Sequence, residues 1–396
     1  MSDILRNPEM ANKKKIALVF WPKVGNQHLF LTGIRQFEVG FYHWMWKGFS
    51  PVNSAIPLIR AWRPDGIIGM LETPELARAC RRLRVPVVDV GERLEHQPCI
   101  QICVDSWKIG EMAANYFLER RFQHFAFCGA AGTHFAQERH RGFAETLEKA
   151  DMKCPTIWFK VGAGVPQTTV AWAQPDPKAA RWLEKLPRPL ALMVSNDQLA
   201  LMVLSTCSQA NIRVPDDIAV LGVDDDELMC AMANPPLSSI PLPAKRIGYE
   251  AAAVLEAMMA GESVPDEPVV LPPLPIVTRG STERLAVSDP DVSKALALIH
   301  ANVGKRFRII DIADNLGVTR RALERKFRRE LSTGIQDEIR RSRVERVQTL
   351  LRDTDMTPYS IASKCGFANR TRMGVVFRQY TGTSPAAYRK QFKVVQ

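Results

Sequence analysis

Residues 311–327 read DIADNLGVTRRALERKF, a pattern typical of a helix-turn-helix. Gly317 supplies the turn between two short helices. Apolar residues three or four apart mark the inner face of each helix: Ile312, Ala313 and Leu316 in the first, and Leu323, Phe327 and Leu331 in the second. The basic residues of the second helix, such as Arg321, Arg325 and Arg328, fall on the opposite face. The stretch therefore predicts a helix that reads DNA in the major groove.

A second pattern of the same kind follows towards the end of the chain. Thr357 can cap a helix that Pro358 opens, and Gly366 supplies the turn. The next helix is predicted over residues 369–380, with three side chains facing inward: Met373, Phe377 and Tyr380. The chain thus contains two helix-turn-helix patterns in tandem.

A basic helix lies between the two patterns. It has about 16 residues, which at 1.5 Å per residue span roughly 24 Å. This length can set two recognition helices into successive major grooves on one face of the DNA. Its basic residues either contact phosphates or are simply solvated: Arg340, Arg341, Arg343 and Arg346.

The excess positive charge is confined to this region. From Asp289 to Gln396 the chain has 22 Lys and Arg against 11 Asp and Glu, whereas the other residues have 31 of each. A basic module on a neutral body is the electrostatic pattern of a nucleic-acid binder, and a solvated basic surface is the alternative. Double-stranded operator DNA is therefore a predicted partner.

The body upstream alternates short apolar runs with helical patterns. The predicted strands are Ile16–Phe20, Gly66–Met70, Val85–Val90, Ile100–Val104, His124–Cys128, Thr156–Phe159, Ala191–Ser195 and Ile218–Asp224. Continuous apolar strands that alternate with helices favour parallel sheets covered on both faces. The predicted fold class is a two-lobed α/β domain followed by an all-α double helix-turn-helix domain. Ligands of such sheets bind at the carboxyl ends of the strands, which places the site between the lobes.

The predicted organisation is a tail at 1–15, the two-lobed domain at 16–282, a linker at 283–290 and the DNA-binding domain at 291–396. No apolar run approaches the roughly 18 residues of a membrane helix, and the polar start of the chain is unlike a signal peptide. Eight cysteines without a CxxC pair are typical of buried free thiols in a reducing cytoplasm. We therefore predict a cytoplasmic protein.

Catalytic motifs are absent from the sequence. There is no GxxxxGK loop and no GxSxG elbow. The acidic run Asp224–Glu227 could suggest a cation site, but a loop and helix start is the favoured interpretation. The sequence predicts no enzyme activity, no cofactor and no metal site.

Several stretches of the body resemble the LacI/GalR family of sugar-sensing regulators. They are 193–201 (MVSNDQLAL), 218–225 (IAVLGVDD), Asp105 with Gly110 and Ala113, 237–240 (LSSI) with Gly248 and Ala251, and the closing segment from Leu271 to Thr282. The matches occur in the family's order, and they imply a periplasmic-binding-protein-like fold. That family carries its DNA-binding head before the first strand, where only fifteen residues precede Ile16 here.

The C-terminal patterns resemble instead the double helix-turn-helix of the AraC/XylS family. The matching residues are Ile312-Ala313, Gly317-Val318, Leu323, Phe327, Ile361-Ala362, Gly366-Phe367, Thr381 to Pro385 and Tyr388-Arg389. A LacI-type sensor fused to an AraC-type DNA reader resembles the bacterial xylose operon regulators. This resemblance implies a sugar-responsive regulator, an activator of xylose (pentose) catabolism genes with xylose or a related sugar as effector. It further implies a homodimer that contacts RNA polymerase if it is an activator.

Two alternatives stay open at this point. A regulator of the same architecture could respond to a different sugar. The chain could also be a ligand-independent DNA-binding protein whose α/β body is an interaction platform.

The resemblance to sugar-sensing regulators implies ligand contacts at Arg139, Asn196 and Asp224. An arginine can donate two parallel hydrogen bonds to neighbouring hydroxyls, an amide can donate and accept, and a carboxylate can accept. The alternative is that the Asp and Asn cap loops and that Arg139 pairs with a nearby glutamate. Asp197 either adjoins the cleft or caps the following helix, and Phe135 is either a stacking platform or an unrelated core or surface residue.

The AraC/XylS resemblance implies which side chains face the DNA bases. In the first recognition helix these are Arg320, Arg321, Glu324 and Arg325, and in the second they are Arg370, Thr371 and Arg372. Gly374 interrupts the second helix, Met373 replaces an aromatic residue, and Val375 stands where a basic residue is common. We therefore expect the first helix to carry more of the sequence specificity.

Overall fold

The computed structural model describes residues 13–20, 26–38, 44–51, 53–95, 99–160, 174–265, 267–283, 289–304, 308–331, 333–354 and 356–393. It divides into two compact units, Met1–Phe117 with Gln123–Glu283 and Leu118–Phe122 with Arg284–Gln396. Most of the predicted tail and residues 284–288 of the predicted linker lie outside the described residues. The linker boundaries therefore stay a prediction.

The first unit alternates strands and helices. Its described strands are β1 (Lys14–Val19), β2 (Trp44–Phe49), β3 (Gly66–Gly69), β4 (Val87–Asp89), β5 (Ile100–Val104), β6 (His124–Ala131), β7 (Thr156–Lys160), β8 (Leu190–Val194), β9 (Ile218–Asp224), β10 (Ser238–Pro241) and β11 (Val269–Leu271). Its described helices are α1 (Gln27–Glu38), α2 (Ile56–Trp62), α3 (Pro74–Arg81), α4 (Ser106–Glu119), α5 (His134–Glu148), α6 (Pro177–Leu183), α7 (Asp197–Gln209), α8 (Glu227–Met232) and α9 (Ala244–Ala260).

The strands form two sheets, one in each lobe. The first has the order β11-β5-β4-β3-β1-β2 and the second the order β10-β9-β8-β6-β7. Every strand pair within them is parallel. The chain passes from one lobe to the other after β5, after β10 and after β11. The predicted α/β fold with two lobes is confirmed.

Three strands escaped the sequence prediction, namely β2, β10 and β11. Ser238 and Ser239 of β10 are fully buried, although serine suggests a loop. They are tolerated because hydrogen bonds satisfy them: the Ser238 amide donates to Ser281 Oγ at 2.8 Å, and Ser239 Oγ donates to Asp197 Oδ1 at 2.6 Å. A short polar strand of this kind depends on distant partners, which a local pattern does not show.

Glycines allow close approaches between helices of the first unit. A Cβ on Gly142 of α5 would lie 1.9 Å from the carbonyl oxygen of Trp107, and one on Gly110 of α4 would lie 2.1 Å from that of Arg139. Such distances are far inside van der Waals contact, so only glycine permits this packing. The contact fixes the turn of α5 that carries Arg139.

The second unit is helical. Its described helices are α10 (Pro290–Ala301), α11 (Ile309–Asn315), α12 (Arg320–Leu331), α13 (Ile335–Asp353), α14 (Pro358–Lys364), α15 (Arg370–Thr381) and α16 (Pro385–Lys393). Pairs α11–α12 and α14–α15 are the two predicted helix-turn-helix motifs, with Gly317 and Gly366 at positive φ of 67° and 69° in the turns. The predicted all-α class of this unit is confirmed.

Each helix-turn-helix has its own core. The first contains Leu323, Phe327 and Leu331, as the spacing predicted. The second contains Met373 and Phe377, but the predicted third residue, Tyr380, is 43% exposed and Val376 is buried in its place. Helix α13 runs through both cores, with Ile335 and Ile339 in the first and Val344 and Val347 in the second.

Gly142→Ala is expected to lower the free energy of unfolding of the first unit by about 2 kcal/mol or more, since overpacking of a tight contact typically costs 1–3 kcal/mol. Gly374→Ala is the matched control, because a Cβ there meets nothing within 4 Å and α15 is continuous through it. That substitution should stabilise the helix by about 0.5–1 kcal/mol. Urea unfolding of both variants measures the difference, and a neutral Gly142→Ala would show that the helices separate without loss.

Candidate functional site

A cavity of about 170 Å³ lies between the two lobes of the first unit. It is at the carboxyl ends of the strands, where ligands bind to parallel sheets. The first lobe lines it with Asn26, Glu72, Glu92 and Arg93, and the second with Phe135, Arg139, Asn196 and Asp224. The three side chains predicted from the resemblance, Arg139, Asn196 and Asp224, thus meet in one place, and Phe135 lies with them. Their binding of a ligand stays a prediction.

Arg139 is the central side chain of the cavity and is only 3% exposed. Its Nη1 donates to the carbonyl oxygen of Ser195 at 2.5 Å and lies 3.7 Å from Asp224 Oδ1. Its Nε is buried and makes no hydrogen bond to any described residue. A buried donor without a partner is unfavourable by about 1–3 kcal/mol, so this atom is suited to a ligand.

Phe135 stacks against Arg139, with the guanidinium carbon 4.8 Å from the ring centroid. This cation–π contact holds the guanidinium plane over the ring. The Phe135 amide also donates to the carbonyl oxygen of Glu92 at 2.9 Å, and the His134 amide to that of Arg93 at 3.0 Å. These two bonds join the start of α5 to the loop after β4 in the opposite lobe.

Asp224 ends β9 with a backbone φ of 111°, a conformation that favours glycine. Its carbonyl oxygen accepts a hydrogen bond from Asn26 Nδ2 of the other lobe. Burial raises the pKa of its carboxyl to about 6, and the neighbouring Arg139 opposes that increase. The side chain keeps 32% of its surface accessible and lines the cavity, so a ligand can reach it.

The sequence analysis assigned the cap of α7 to the wrong one of two neighbouring residues, Asn196 and Asp197. Asn196, not Asp197, caps α7, because its Oδ1 accepts from the Leu199 amide at 3.0 Å. The Asn196 amide nitrogen is left as the donor towards the cavity. Asp197 is 1% exposed and does not line the cavity.

The Asp197 carboxylate instead holds the ends of β9 and β10 together. It accepts from Ser239 Oγ at 2.6 Å, from the Asp226 amide at 3.0 Å and from Cys230 Sγ at 3.3 Å. Both interpretations of Asp197, ligand contact and helix cap, are therefore corrected. Burial raises the pKa of this carboxyl well above its usual range, and the nearby Asp224 raises it further.

Glu92 is the main cavity residue that the sequence analysis missed. Its Oε2 accepts from Ser106 Oγ at 2.8 Å, and burial raises its pKa to about 7 although Arg139 opposes the increase. Behind it, Asp89 of β4 is fully buried, and burial raises its pKa to about 7 too. A signal for Glu92 was available in its place shortly after an apolar strand, whereas Asp224 was predicted from the resemblance to sugar-sensing regulators.

The acidic run after β9 forms a loop and a helix start, as the favoured interpretation had it. Asp225 lies 2.7 Å from Arg279 Nη1, and Asp226 caps α8 by accepting from the Met229 amide at 3.0 Å. Among the described residues no group of three His, Cys, Asp or Glu side chains could hold a metal ion. The eight cysteines are free; six are buried, whereas Cys99 and Cys154 are half-buried.

The exposed face of α12 carries the basic residues of the first helix-turn-helix motif. Arg321, Arg325 and Arg328 are exposed and have no ionic partner among the residues described. Arg320 donates from Nε to Glu324 Oε1 at 2.9 Å, so either side chain must leave this pair to contact a base. Arg329 instead pairs with Asp289 at 2.8 Å, which draws it towards α10.

The second helix-turn-helix motif exposes fewer polar side chains on its recognition helix, α15. Arg370, Thr371 and Arg372 are exposed in the first turn of α15, which Asn369 caps by accepting from the Arg372 amide at 2.8 Å. Val375, one turn further, is 46% exposed and cannot donate to DNA. Base contacts by either helix stay predictions.

Comparisons with known proteins agree with both units. A periplasmic binding protein-like domain matches residues 114–282, and a helix-turn-helix domain matches residues 312–391. The xylose operon regulatory protein of Escherichia coli K12 is 27% identical over 344 residues, which cover 85% of this chain and 86% of that protein. The protein of the same name from Haemophilus influenzae is 27% identical over 332 residues, 82% of this chain and 84% of that one.

A solved structure, that of the xylose-binding transcription activator XylR, has a similar fold over nearly the whole chain. It aligns with a TM-score of 0.62 at 24% identity, covering 96% of this chain and 99% of that one. The chain has the architecture of the xylose operon regulatory proteins. It joins a periplasmic binding protein-like domain to a helix-turn-helix domain, and the relatives named above are regulatory proteins.

The xylose operon regulatory architecture thus fits the predicted fold and domain order. None of the described helices is long and apolar enough to span a bilayer.

Glu92→Gln is expected to weaken the pH dependence of stability. Because the folded-state pKa of about 7 lies above the ordinary value near 4.3, folding favours the protonated acid. The stability that this group contributes is full below about pH 4.3 and is lost as the pH rises to about 7. Between pH 5 and 8 the wild type should therefore lose about 1–3 kcal/mol more than Glu92→Gln in urea unfolding.

The pKa values of Asp224 and Asp89 are also raised, so these acids likewise lower the stability as the pH rises. Glu92→Gln should therefore keep part of the decrease in the free energy of unfolding with pH. Glu75→Gln is the control, because Glu75 is a surface residue paired with Arg78. Equal slopes for wild type and Glu92→Gln would contradict the buried-acid account.

Proposed function

We propose that this regulator binds a neutral monosaccharide in the cavity between its lobes, and that binding changes how the helix-turn-helix unit engages DNA. The observation that carries the proposal is the buried Arg139, whose Nε makes no hydrogen bond to any described residue. A sugar hydroxyl would satisfy this donor, and the ring of Phe135 next to it offers an apolar face for sugar C–H groups.

The charges around the cavity favour a neutral ligand. Its charged lining residues are Glu72, Glu92, Asp224, Arg93 and Arg139. The two arginines face these acids: Arg93 lies 3.9 Å from Glu72, and Arg139 lies 3.7 Å from Asp224. A polyol, which both donates and accepts, suits this mixture better than an anion or a cation would.

The size of the cavity supports a single sugar ring. Its volume of about 170 Å³ equals the share of roughly six water molecules in the liquid at about 30 Å³ each. The relatives named above are regulators of a xylose operon, and a solved neighbour binds xylose. We therefore propose xylose or a related pentose as the effector, and another monosaccharide of similar size as the alternative.

The contacts between the lobes support coupling to ligand. Asn26 donates to the Asp224 carbonyl oxygen, and Phe135 donates to that of Glu92, so each lobe holds a cavity residue of the other. A sugar that hydrogen-bonds to both lobes stabilises this closed arrangement over an open one. Any effect on DNA binding then requires that the open and closed forms differ in DNA affinity.

The finer assignments follow the named relatives. We propose a cytoplasmic activator of pentose catabolism genes that contacts RNA polymerase and acts at DNA in the nucleoid. We further propose a homodimer through the first unit. Leu228 and Met232, one turn apart on α8, are 69% and 77% exposed, which is typical of residues that a partner covers.

Thermal unfolding with a panel of pentoses, hexoses and sugar alcohols tests the effector. A ligand at 100 times its dissociation constant adds about 2.7 kcal/mol to the native state. Asn196→Ser should weaken the binding of the active sugar about three- to tenfold, because serine keeps the helix cap but removes the amide donor. Asn369→Ser makes the same change at the cap of α15 and should leave the sugar response unaltered.

A shift with another sugar alone would replace the effector, and no shift with any sugar would favour the interaction-platform hypothesis. An Asn196→Ser protein that responds like wild type would remove Asn196 from the site.

Selection of bound sequences from a randomised duplex library tests the DNA readers. Arg325→Ala is expected to relax the base preference at its position by about 1–3 kcal/mol, since a bidentate arginine–guanine contact has that value. Arg370→Ala should have the smaller effect. Arg329→Ala is the control on α12, because Arg329 is already paired with Asp289. A loss of preference in Arg370→Ala with none in Arg325→Ala would reverse the ranking of the two helices.

A further inference from the structure

A cluster of basic side chains lies at the amino-terminal edge of the first sheet. We call it the basic edge, and its members are Lys14, Arg60, Arg63, Arg81, Arg82 and Arg84. All six are exposed. None of them forms a salt bridge within the described part of the chain. The proposed sugar site lies at the opposite edge of the same sheet and uses none of these residues.

The register of the strands shows that these residues share one edge. Strands β1, β3 and β4 are parallel neighbours, with Ile16 beside Gly66 and Ile67 beside Val87. Lys14 starts β1, Arg63 precedes β3 by three residues, and Arg84 precedes β4 by three. Helices α2 and α3 return to this edge, so the basic residues of their last turns, Arg60 and Arg81, end there as well.

Two of the arginines occupy unfavourable backbone positions. Arg63 and Arg84 have positive φ of 52° and 56° at the chain turns after α2 and α3. Glycine is preferred in this conformation because a Cβ is strained there, and α9 of the same unit does end on glycine, Gly261 at φ 76°. Other non-glycine residues at helix ends, Arg121, Asp151 and Asn211, also have positive φ, so this conformation alone assigns no role to the two arginines. It does mean that glycine can replace either arginine without backbone strain.

The acidic side chains nearby do not neutralise the cluster. Asp65, at the start of β3, accepts from the Lys15 amide at 2.7 Å, and Glu75 pairs with Arg78 outside the basic edge. Outside its last 108 residues the chain has as many basic as acidic residues. The six cations of the basic edge and the one carboxylate of Asp65 therefore leave a local excess of five positive charges against a neutral background. Favourable contact with the helix dipole accounts for a cation at each helix end, but not for six along the edge.

We propose that the basic edge binds the phosphate backbone of double-stranded DNA, so that the sensor unit adds sequence-independent contacts to those of the helix-turn-helix unit. A row of exposed arginines without a pocket matches a repeating line of phosphates. DNA is the polyanion that this chain already engages through its second unit. The inference goes beyond the proposed sugar response and does not depend on which sugar binds.

Arg63→Gly with Arg84→Gly is the sharpest test, because glycine suits both backbone positions. The double variant should be as stable as wild type or more stable. Binding of the full-length chain to a 60-base-pair duplex of arbitrary sequence is followed by fluorescence anisotropy between 50 and 200 mM NaCl. We expect weaker binding and a plot of log affinity against log salt that is shallower by about 1–2, since each neutralised phosphate contributes about 0.9.

Arg181→Gln with Lys185→Gln is the charge-matched control, with two exposed basic residues removed from the second lobe. This control should bind and titrate with salt like the wild type. A second edge variant, Arg81→Gln with Arg82→Gln, leaves the two turns unchanged and should repeat the loss.

An unchanged salt slope in both edge variants overturns the proposal, and so does an equal fall in the charge-matched control. Sugar-induced stabilisation should persist in every edge variant. A wild-type protein that shows neither sugar response nor sequence preference would sink the proposed function instead, whatever the edge variants do.

Discussion

The burial of one guanidinium group is the constraint on which the sensor unit depends. Arg139 is charged and almost inaccessible, and moving such a group from water is expensive unless it is paired. The backbone of Ser195 and the carboxylate of Asp224 offset part of this penalty, and the ring of Phe135 fixes its plane. Helix α5, which carries Arg139, packs tightly against α4, where Gly142 approaches the carbonyl oxygen of Trp107 and Gly110 approaches that of Arg139.

The acids around Arg139 are tuned by the same burial. Glu92 and Asp224 come from opposite lobes, and in both the pKa is raised by burial and held back by Arg139. Their charge state therefore depends on how tightly the lobes enclose them. Proton binding and the closeness of the lobes are in this way parts of one equilibrium.

Much of this fold could be predicted from the sequence because its signals are local. Strand β5 matches its predicted range of Ile100–Val104 and β9 its predicted range of Ile218–Asp224, since each is a continuous apolar run. The turn glycines Gly317 and Gly366 located both helix-turn-helix motifs. The fold class followed from such patterns, whereas the polar residues at the ends of β8 and β9 were implied by the resemblance to sugar-sensing regulators.

The rest depended on partners far away in the chain. Asp197 was misassigned because its role comes from Ser239 of β10, and β10 itself has no apolar signature. The spacing of Tyr380 from Met373 and Phe377 predicted that it faces inward, but Val376 is buried instead and Tyr380 is exposed. Both residues fit the spacing of the inner face, and in a helix of this length the spacing does not decide between them. Glu92 was overlooked because the predicted ligand contacts came from the resemblance to sugar-sensing regulators, and the matching stretches did not include residues 85–95.

Helix α13 belongs to the cores of both helix-turn-helix motifs, so its length determines how the two motifs are placed relative to each other. Its 19 residues extend for about 28 Å without a break. Each residue inserted between the two cores would turn one motif by about 100° against the other. The number of residues in α13 between the two cores therefore sets the rotation of one helix-turn-helix motif relative to the other. An insertion or deletion in this helix keeps that rotation only when it adds or removes a whole number of helical turns.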